Sequence, residues 1–201
     1  AVGDNSLITT TGSENIAVGS SALRAANGTS SGNVAIGNNA NNINNTMTAT
    51  IAIGRSASTI GLGSIAIGSN LTAAEFGSAV DAANASQPSS VAIGTGAKAQ
   101  ATTEITGNAV AVGAKAQATN ANSIAIGVSS TATNGAVAVG GIAVASTNNT
   151  VALGYNANST GTSATALGSN STASGSGAIA IGISARSTSD DSIAIGRSLA
   201  N

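Results

Sequence analysis

The side chains that most often carry out catalysis are scarce in this sequence. It contains no histidine and no cysteine, so the commonest general base, the thiol nucleophile and the usual zinc ligands are absent. Asp190–Asp191 is the only adjacent pair of carboxylates, and a solvated turn explains it better than paired acid and base catalysis does. We therefore expect a protein that is not an enzyme and that uses no metal or other cofactor.

Short glycine-rich stretches are the next candidates, because such loops can bind phosphate. Gly94-Thr95-Gly96 and Gly140-Gly141 are not followed by the Gly-Lys-Ser/Thr sequence of a phosphate-binding loop. Six basic and seven acidic residues give a net charge of -1, which provides no basic surface for nucleic acid. The basic side chains fit a solubilising surface better than a ligand site, and they include Lys98, Lys115, Arg186 and Arg197.

A four-residue motif, made of an aliphatic residue, an alanine, a second aliphatic residue and a glycine, recurs throughout the chain. The fullest copy is Asn122-Ser123-Ile124-Ala125-Ile126-Gly127, followed by Ser130. In the second half of the chain most copies follow one another every 14 residues, as from Gly154 to Gly168. A fixed period indicates a repeat architecture, in which each unit buries its apolar surface by stacking on its neighbours. The other copies end at Gly19, Gly37, Gly54, Gly68, Gly94, Gly113, Gly140, Gly182 and Gly196.

The motif alternates with a period of two, which is typical of a β-strand and not of a helix. Its two aliphatic residues share one face and its alanine lies on the other, so both faces are apolar. Small residues three and five positions after the glycine, such as Ala116 and Ala118, indicate a second strand. The sequence therefore predicts an all-β fold, a flattened parallel β-solenoid with two short strands in each coil. Turns are expected at the motif glycine and seven residues after it, as at Asn120, Asn134, Gly161 and Gly175.

The size of the core residues leads to an expectation about which face points inward. With 42% hydrophobic residues but one Phe, one Tyr and no Trp, the apolar residues are mainly Ala, Ile and Val. A narrow roll has room for one layer of large residues opposite one layer of small residues. We expect the Ile and Val of the motif inside the roll, and an uncovered apolar face that drives self-association. The central alanines should then face neighbouring chains, as Ala17, Ala35, Ala125 and Ala180.

Extra residues between some copies are expected to leave the stack as surface loops. They fall mainly within residues 20–50, 69–90 and 95–109. We expect the segment Ser69–Ser90 to protrude from the stack. The same segment allows a short helix that begins at Asn70 and continues toward Asn84.

The copy from Asn122 to Ser130, repeated in a background of Gly, Ser, Asn and Ala, resembles the YadA-like head repeat of trimeric autotransporter adhesins. The resemblance covers essentially all 201 residues, as a single head domain over residues 1–201. It implies a left-handed parallel β-roll assembled as a parallel homotrimer. Because the sequence begins and ends within a repeat, we expect it to be a piece of a longer protein.

The resemblance also implies a function and a location. It implies an adhesin head that is exposed at the surface of a Gram-negative outer membrane, reached through a stalk and anchor that this sequence lacks. Its partners would be extracellular-matrix proteins such as collagen or fibronectin, host cells or abiotic surfaces, and other copies of itself through self-agglutination. Because the apolar residues of the motif are needed for the fold, we expect the polar residues Asn122, Ser123 and Ser130 to make the contacts with a ligand.

Two other functions remain open for a β-solenoid of this composition. It could be an ice-binding protein, which needs a flat array of matched threonines in every coil, or a structural fibre. The threonines do not hold one register along the sequence, which favours the adhesin over ice binding. Examples are Thr9, Thr10, Thr11, Thr131, Thr133 and Thr147.

Overall fold

A computed structural model describes residues 1–7, 12–24, 29–41, 48–71, 81–100 and 107–197 of the protein. In these residues the fold is a parallel β-solenoid of about 11 turns, with coils of about 14 residues and no helix. Each complete coil gives one strand to each of two parallel sheets. The predicted all-β solenoid is therefore confirmed.

The first sheet has 12 strands and consists of the motif copies, paired in parallel in chain order. In every copy the three residues before the glycine form one strand, which pairs with the strands of the neighbouring coils. With strands numbered in chain order, they are β1 (Ile16–Val18), β2 (Val34–Ile36), β3 (Ile51–Ile53), β5 (Ile65–Ile67), β7 (Val91–Ile93), β9 (Val110–Val112), β11 (Ile124–Ile126), β13 (Val137–Val139), β15 (Val151–Leu153), β17 (Thr165–Leu167), β19 (Ile179–Ile181) and β21 (Ile193–Ile195).

The second sheet has nine strands, which are more polar, and six of them have only two residues. Equivalent positions pair from coil to coil in both sheets, as Ala125 does with Ala111 and Ala138. Each position of the repeat therefore becomes a column that runs along the stack. The strands are β4 (Ser58–Thr59), β6 (Asn84–Ala85), β8 (Lys98–Gln100), β10 (Gln117–Thr119), β12 (Thr131–Thr133), β14 (Val144–Ala145), β16 (Asn158–Ser159), β18 (Thr172–Ala173) and β20 (Arg186–Ser187).

Alanine, and not isoleucine or valine, lines the interior, so the predicted orientation of the motif is wrong. Ala125 is fully buried in one chain, whereas Ile126 beside it is 39% exposed. The reason is the short coil: tight turns hold the two sheets so close together that only small residues fit between them. The inward positions of one coil are Ser123, Ala125, Ser130 and Ala132, all with no exposed surface. The other central alanines expected outside are also buried, as Ala17, Ala35 and Ala180.

The turns depend on residues in the left-handed conformation. The motif glycine Gly154 has φ 137°, and a Cβ built on it would lie 2.6 Å from the backbone of Gly168 in the next coil, so only glycine fits. Two residues later Asn156 has φ 53°. At the second corner Asn134 has φ 54° as predicted. Gly161, in contrast, does not have a positive φ, and glycine is needed there because a Cβ would collide with the backbone of Gly175.

One coil within the longest predicted insertion belongs to the stack. Strand β6, Asn84–Ala85, pairs with β4 on one side and β8 on the other. The N–H of Ala83 donates to Gly68 O at 3.3 Å, and Ala83 is buried. Ala83 therefore takes the inward position that the spacing of three residues after the motif glycine would have given to Leu71. The prediction that all of Ser69–Ser90 protrudes is therefore wrong. The predicted helix falls mainly on residues 72–80, outside the described residues, and its expected end at Asn84 is a strand.

The interior of the N-terminal coils contains a network of buried amides and hydroxyls. Asn15 Oδ1 accepts hydrogen bonds from the backbone N–H and the side-chain amide of Asn33, at 3.0 and 3.1 Å. Asn33 Oδ1 accepts from Thr50 N at 3.0 Å and from Thr50 Oγ1 at 2.8 Å. Asn41 donates to Thr50 Oγ1 at 3.1 Å and accepts from Thr59 Oγ1 at 2.7 Å. In the later coils mostly smaller residues occupy the equivalent inward positions, as Ser123 does for Asn33 and Ala132 does for Thr59.

Candidate functional site

The outward residues of the first sheet form a continuous apolar surface, called the apolar face below. It comprises the first and third residues of each of the twelve motif strands. They are partly or largely exposed in one chain, for example Ile16 at 53% and Leu167 at 40%. All of them are Ile, Val or Leu except Thr165, and none is charged. One chain thus leaves an uncharged apolar stripe uncovered along its whole described length.

The outward residues of the second sheet form the opposite, polar face. Lys98 and Gln117, which are paired in register, are typical of it. Lys98 Nζ lies 2.8 Å from Asp81 Oδ2, with both side chains solvent-accessible. This polar face carries charged groups and many hydroxyl groups, whereas the apolar face carries no charge and a single hydroxyl, that of Thr165. The two faces of the roll therefore suit different partners.

A column of mixed serine and threonine residues runs along the polar face, although the threonines Thr131, Thr133 and Thr147 occupy different positions in their coils, as expected. Thr119 and Thr133, the third residues of their strands, pair with each other. The same outward position continues along the ladder in the following coils. The neighbouring outward column is mixed, however, since it contains Val144 and Arg186. Of the threonines named above, Thr9, Thr10 and Thr11 lie outside the described residues. The hydroxyl column consists of Thr119, Thr133, Ser146, Thr160, Ser174 and Thr188.

The three residues predicted to bind a ligand have different positions in the coil. Asn122 is exposed at a corner with φ 58°. Ser123 is buried and its Oγ donates to Thr119 O at 3.0 Å, and buried Ser130 donates to Gly127 O at 2.9 Å. The two serines therefore stabilise turns of the coil, and among these three residues only Asn122 lies on the surface. Its role in binding stays a prediction.

A cluster of exposed apolar residues, which sequence reasoning missed, lies just after the motif glycines in the second half of the chain. We call Val128, Ile142, Tyr155 and Ile183 the apolar corner; Tyr155 is 61% and Ile142 40% exposed. Ile142 has φ 52°, a conformation that is unfavourable for a β-branched residue. Val128, Tyr155 and Ile183 directly follow their motif glycines, and Ile142 lies one residue further on. The sequence signal is that the position directly after the glycine holds small or polar residues in earlier coils, namely Ser20, Asn38, Arg55, Ser69, Thr95 and Ala114.

The acidic side chains of the described residues are the remaining candidates for a reactive group. No three Asp, Glu, His or Cys side chains come together there as a metal site. Asp190 Oδ1 accepts a hydrogen bond from Ser176 N at 2.8 Å, so this carboxylate forms part of an exposed turn. Within the same described ranges, no helix is long and apolar enough to cross a lipid bilayer.

These features define a repeat domain that presents long, regular surfaces. A family model described as the YadA head domain repeat matches residues 46–70, 81–102, 107–133, 134–157, 159–185 and 173–198, well over half of the chain. The chain therefore belongs to the YadA head domain repeat family, and its role is of the adhesin type. Heads of this kind are exposed on the surface of bacteria, on outer-membrane autotransporters.

Solved structures similar to this chain include a domain of a bacterial adhesin. The crystal structure of the collagen-binding domain of the Yersinia adhesin YadA is similar over 94% of this chain and 83% of that one, with 21% sequence identity and a TM-score of 0.47. No curated protein sequence matches the chain.

Proposed function

We propose that the chain is the head of a homotrimeric adhesin on a Gram-negative outer membrane. It attaches to extracellular-matrix proteins such as collagen or fibronectin, to cells or to abiotic surfaces, and it self-agglutinates. The observation that carries this proposal is that each outward surface repeats coil after coil along the stack. A surface of this kind favours many weak contacts over one pocket.

The apolar face supports association with copies of the same chain. A partner that covers it along its length needs the same coil spacing and an equally apolar surface, and a second copy meets both conditions. Cyclic closed assemblies cover the same patch on every subunit. Three chains with their apolar faces around one axis bury all three faces and leave the polar faces outside.

The surfaces left outside the trimer are then available to a ligand. They include the polar face, the corner at Asn122 and the apolar corner around Tyr155. Several weak contacts along one fibrous partner raise the effective affinity without any strong single site, because each contact made brings the next one into reach. Binding through repeated coils is therefore the expected mode.

Two measurements test this proposal. Light scattering of the purified chain should give the mass of a trimer, and a folded, monodisperse monomer would contradict the assembly. Retention on collagen, fibronectin and plastic should then be measured after removing whole coils, for example residues 155–168, which joins Gly154 to Ser169 without a change of register. A matched variant lacks residues 169–182. Adhesion should fall gradually with coil number; loss of binding on removal of one particular coil, with no effect of any other, would indicate a discrete site.

Ice binding is the second candidate, and the hydroxyl column is the observation that favours it. A flat ice-binding surface needs matched columns, however, and the column beside the hydroxyls includes Val144 and Arg186. We expect no thermal hysteresis from the purified protein. A clear depression of the freezing point below the melting point would favour ice binding over adhesion.

A further inference from the structure

A single polar residue interrupts the apolar face. Thr165 stands at the first outward position of β17, where the other eleven strands have Ile or Val. It pairs with Val151 on one side and Ile179 on the other, and two further strands, β19 and β21, follow before the sheet ends. Among the described residues no hydrogen-bond partner is found for its hydroxyl, and the side chain is half-buried.

The residues near Thr165 also differ from those at equivalent positions of the apolar face. At the third motif position Leu153 and Leu167 occupy consecutive coils, whereas the other strands have Ile or Val there. Leucine branches one carbon further from the backbone than these β-branched residues, so its shape at the surface differs. The coil of Thr165 and Leu167 therefore differs from the rest of the apolar face in both polarity and shape.

A uniform repeat leaves the alignment of neighbouring chains poorly determined. A slip of one chain by one coil, about 4.8 Å, again places Ile and Val against Ile and Val and loses contacts only at the ends. Helical coiled coils have the same difficulty, and a single buried polar residue fixes their register because only one alignment lets it meet a partner.

We propose that Thr165 sets the axial register in which copies of this chain associate. This inference rests on the proposed trimer. In the aligned trimer the three Thr165 hydroxyls lie at one height, where they can donate to and accept from one another. In a slipped arrangement a hydroxyl is buried against aliphatic side chains without a partner, and each such hydroxyl lowers the population of that arrangement about tenfold.

The first experiment removes the hydroxyl and keeps the side-chain shape, with Thr165→Val. Methyl spectra of protein labelled at isoleucine δ1 report symmetry, since a threefold trimer in register gives one signal for each isoleucine. The variant should remain trimeric by light scattering and show additional signals from slipped trimers. A variant trimer with a single set of signals would overturn the proposal. If the unmodified chain is a monomer, the proposed trimer itself fails, which is a different result.

A matched control moves the hydroxyl by one coil, in the double variant Val151→Thr/Thr165→Val. Because three hydroxyls again share one height, this protein should regain one signal for each isoleucine. The double variant also allows a mixing experiment. It is unfolded together with the 15N-labelled unmodified chain, and the mixture is refolded. Native mass spectrometry then measures the fraction of trimers that contain both proteins. In a mixed trimer with its chains aligned, the hydroxyls at positions 151 and 165 lie one coil apart and cannot all find partners. The two proteins should therefore form separate trimers. Statistical mixing would overturn the proposal.

Discussion

Gly140 and Gly141 are adjacent, but only Gly140 occupies a position that requires glycine. Substituting each by alanine tests whether the motif glycine is needed for the turn of the coil. Gly140 ends its motif with φ 138°, and a Cβ built there would lie 2.5 Å from the carbonyl carbon of Gly154 in the next coil. Gly141 has no left-handed φ, and its Cβ would lie 3.4 Å from the Tyr155 ring. Ala114 already occupies the position of Gly141 in an earlier coil.

The magnitudes follow from this geometry. Holding alanine at the φ of Gly140 costs about 1–3 kcal/mol, because that region is populated almost only by glycine. Pushing a methyl group against a neighbouring backbone adds about 1–3 kcal/mol. Gly140→Ala should therefore lower the free energy of unfolding by about 2–6 kcal/mol, a large part of the roughly 5–15 kcal/mol that stabilises a domain. Gly141→Ala should change it little, or raise it by about 0.4–1 kcal/mol through reduced freedom of the unfolded chain.

Urea unfolding followed by circular dichroism measures both variants. The protein concentration must be the same throughout, because association adds a concentration-dependent term to stability. Equal losses of stability in the two variants would contradict the assigned roles of the two glycines, as would a Gly140→Ala protein that unfolds at the same urea concentration as the unmodified chain.

Three further predictions concern the two faces, the buried network and the surface ion pair. Ala125→Asp should unfold the chain because it places a charge in the core. Ile126→Asp should keep the circular dichroism spectrum of the folded chain but abolish the trimer in light scattering. The reverse pattern would contradict the assigned inward and outward faces. Asn33→Ala should lower the free energy of unfolding by about 1–3 kcal/mol in urea titrations, since it leaves buried partners unsatisfied; an unchanged midpoint would argue against the network. Lys98→Ala should change stability by less than about 1 kcal/mol, because its ion pair with Asp81 is solvent-accessible; a larger loss in the same titration would show that Lys98 does more than this.

The coil and its strands could be predicted from the sequence because the signal is repeated. A single Ile-Ala-Ile-Gly segment is ambiguous, but a dozen copies in one register leave few alternatives to parallel stacking. The inward orientation of Ala125 could not be predicted in the same way, since the motif is apolar on both faces. The separation of the sheets decides between the faces, and it depends on turn geometry that the pattern does not contain.

The turns and the surfaces were harder to predict for a related reason. The left-handed position two residues after the motif glycine holds Lys115, Ser129 and Ile142 in different coils, so no common residue type marks it. At Ala83 the stack resumes after extra residues, and Leu71 has the same spacing from Gly68 as a true inward residue. Ser123 and Ser130 look like surface residues in sequence because the repeat does not show which hydroxyls are satisfied by backbone carbonyls.

The direction of the backbone hydrogen bonds has a mechanical consequence. The bonds from Ile124 N to Ala136 O, at 2.9 Å, and from Val151 N to Ala164 O, at 3.0 Å, join one coil to the next and therefore run along the length of the stack. A pulling force along that length loads these bonds in tension, with the coils acting as links in series. The force that a single stack can bear is then set by its weakest link and does not grow with the number of coils.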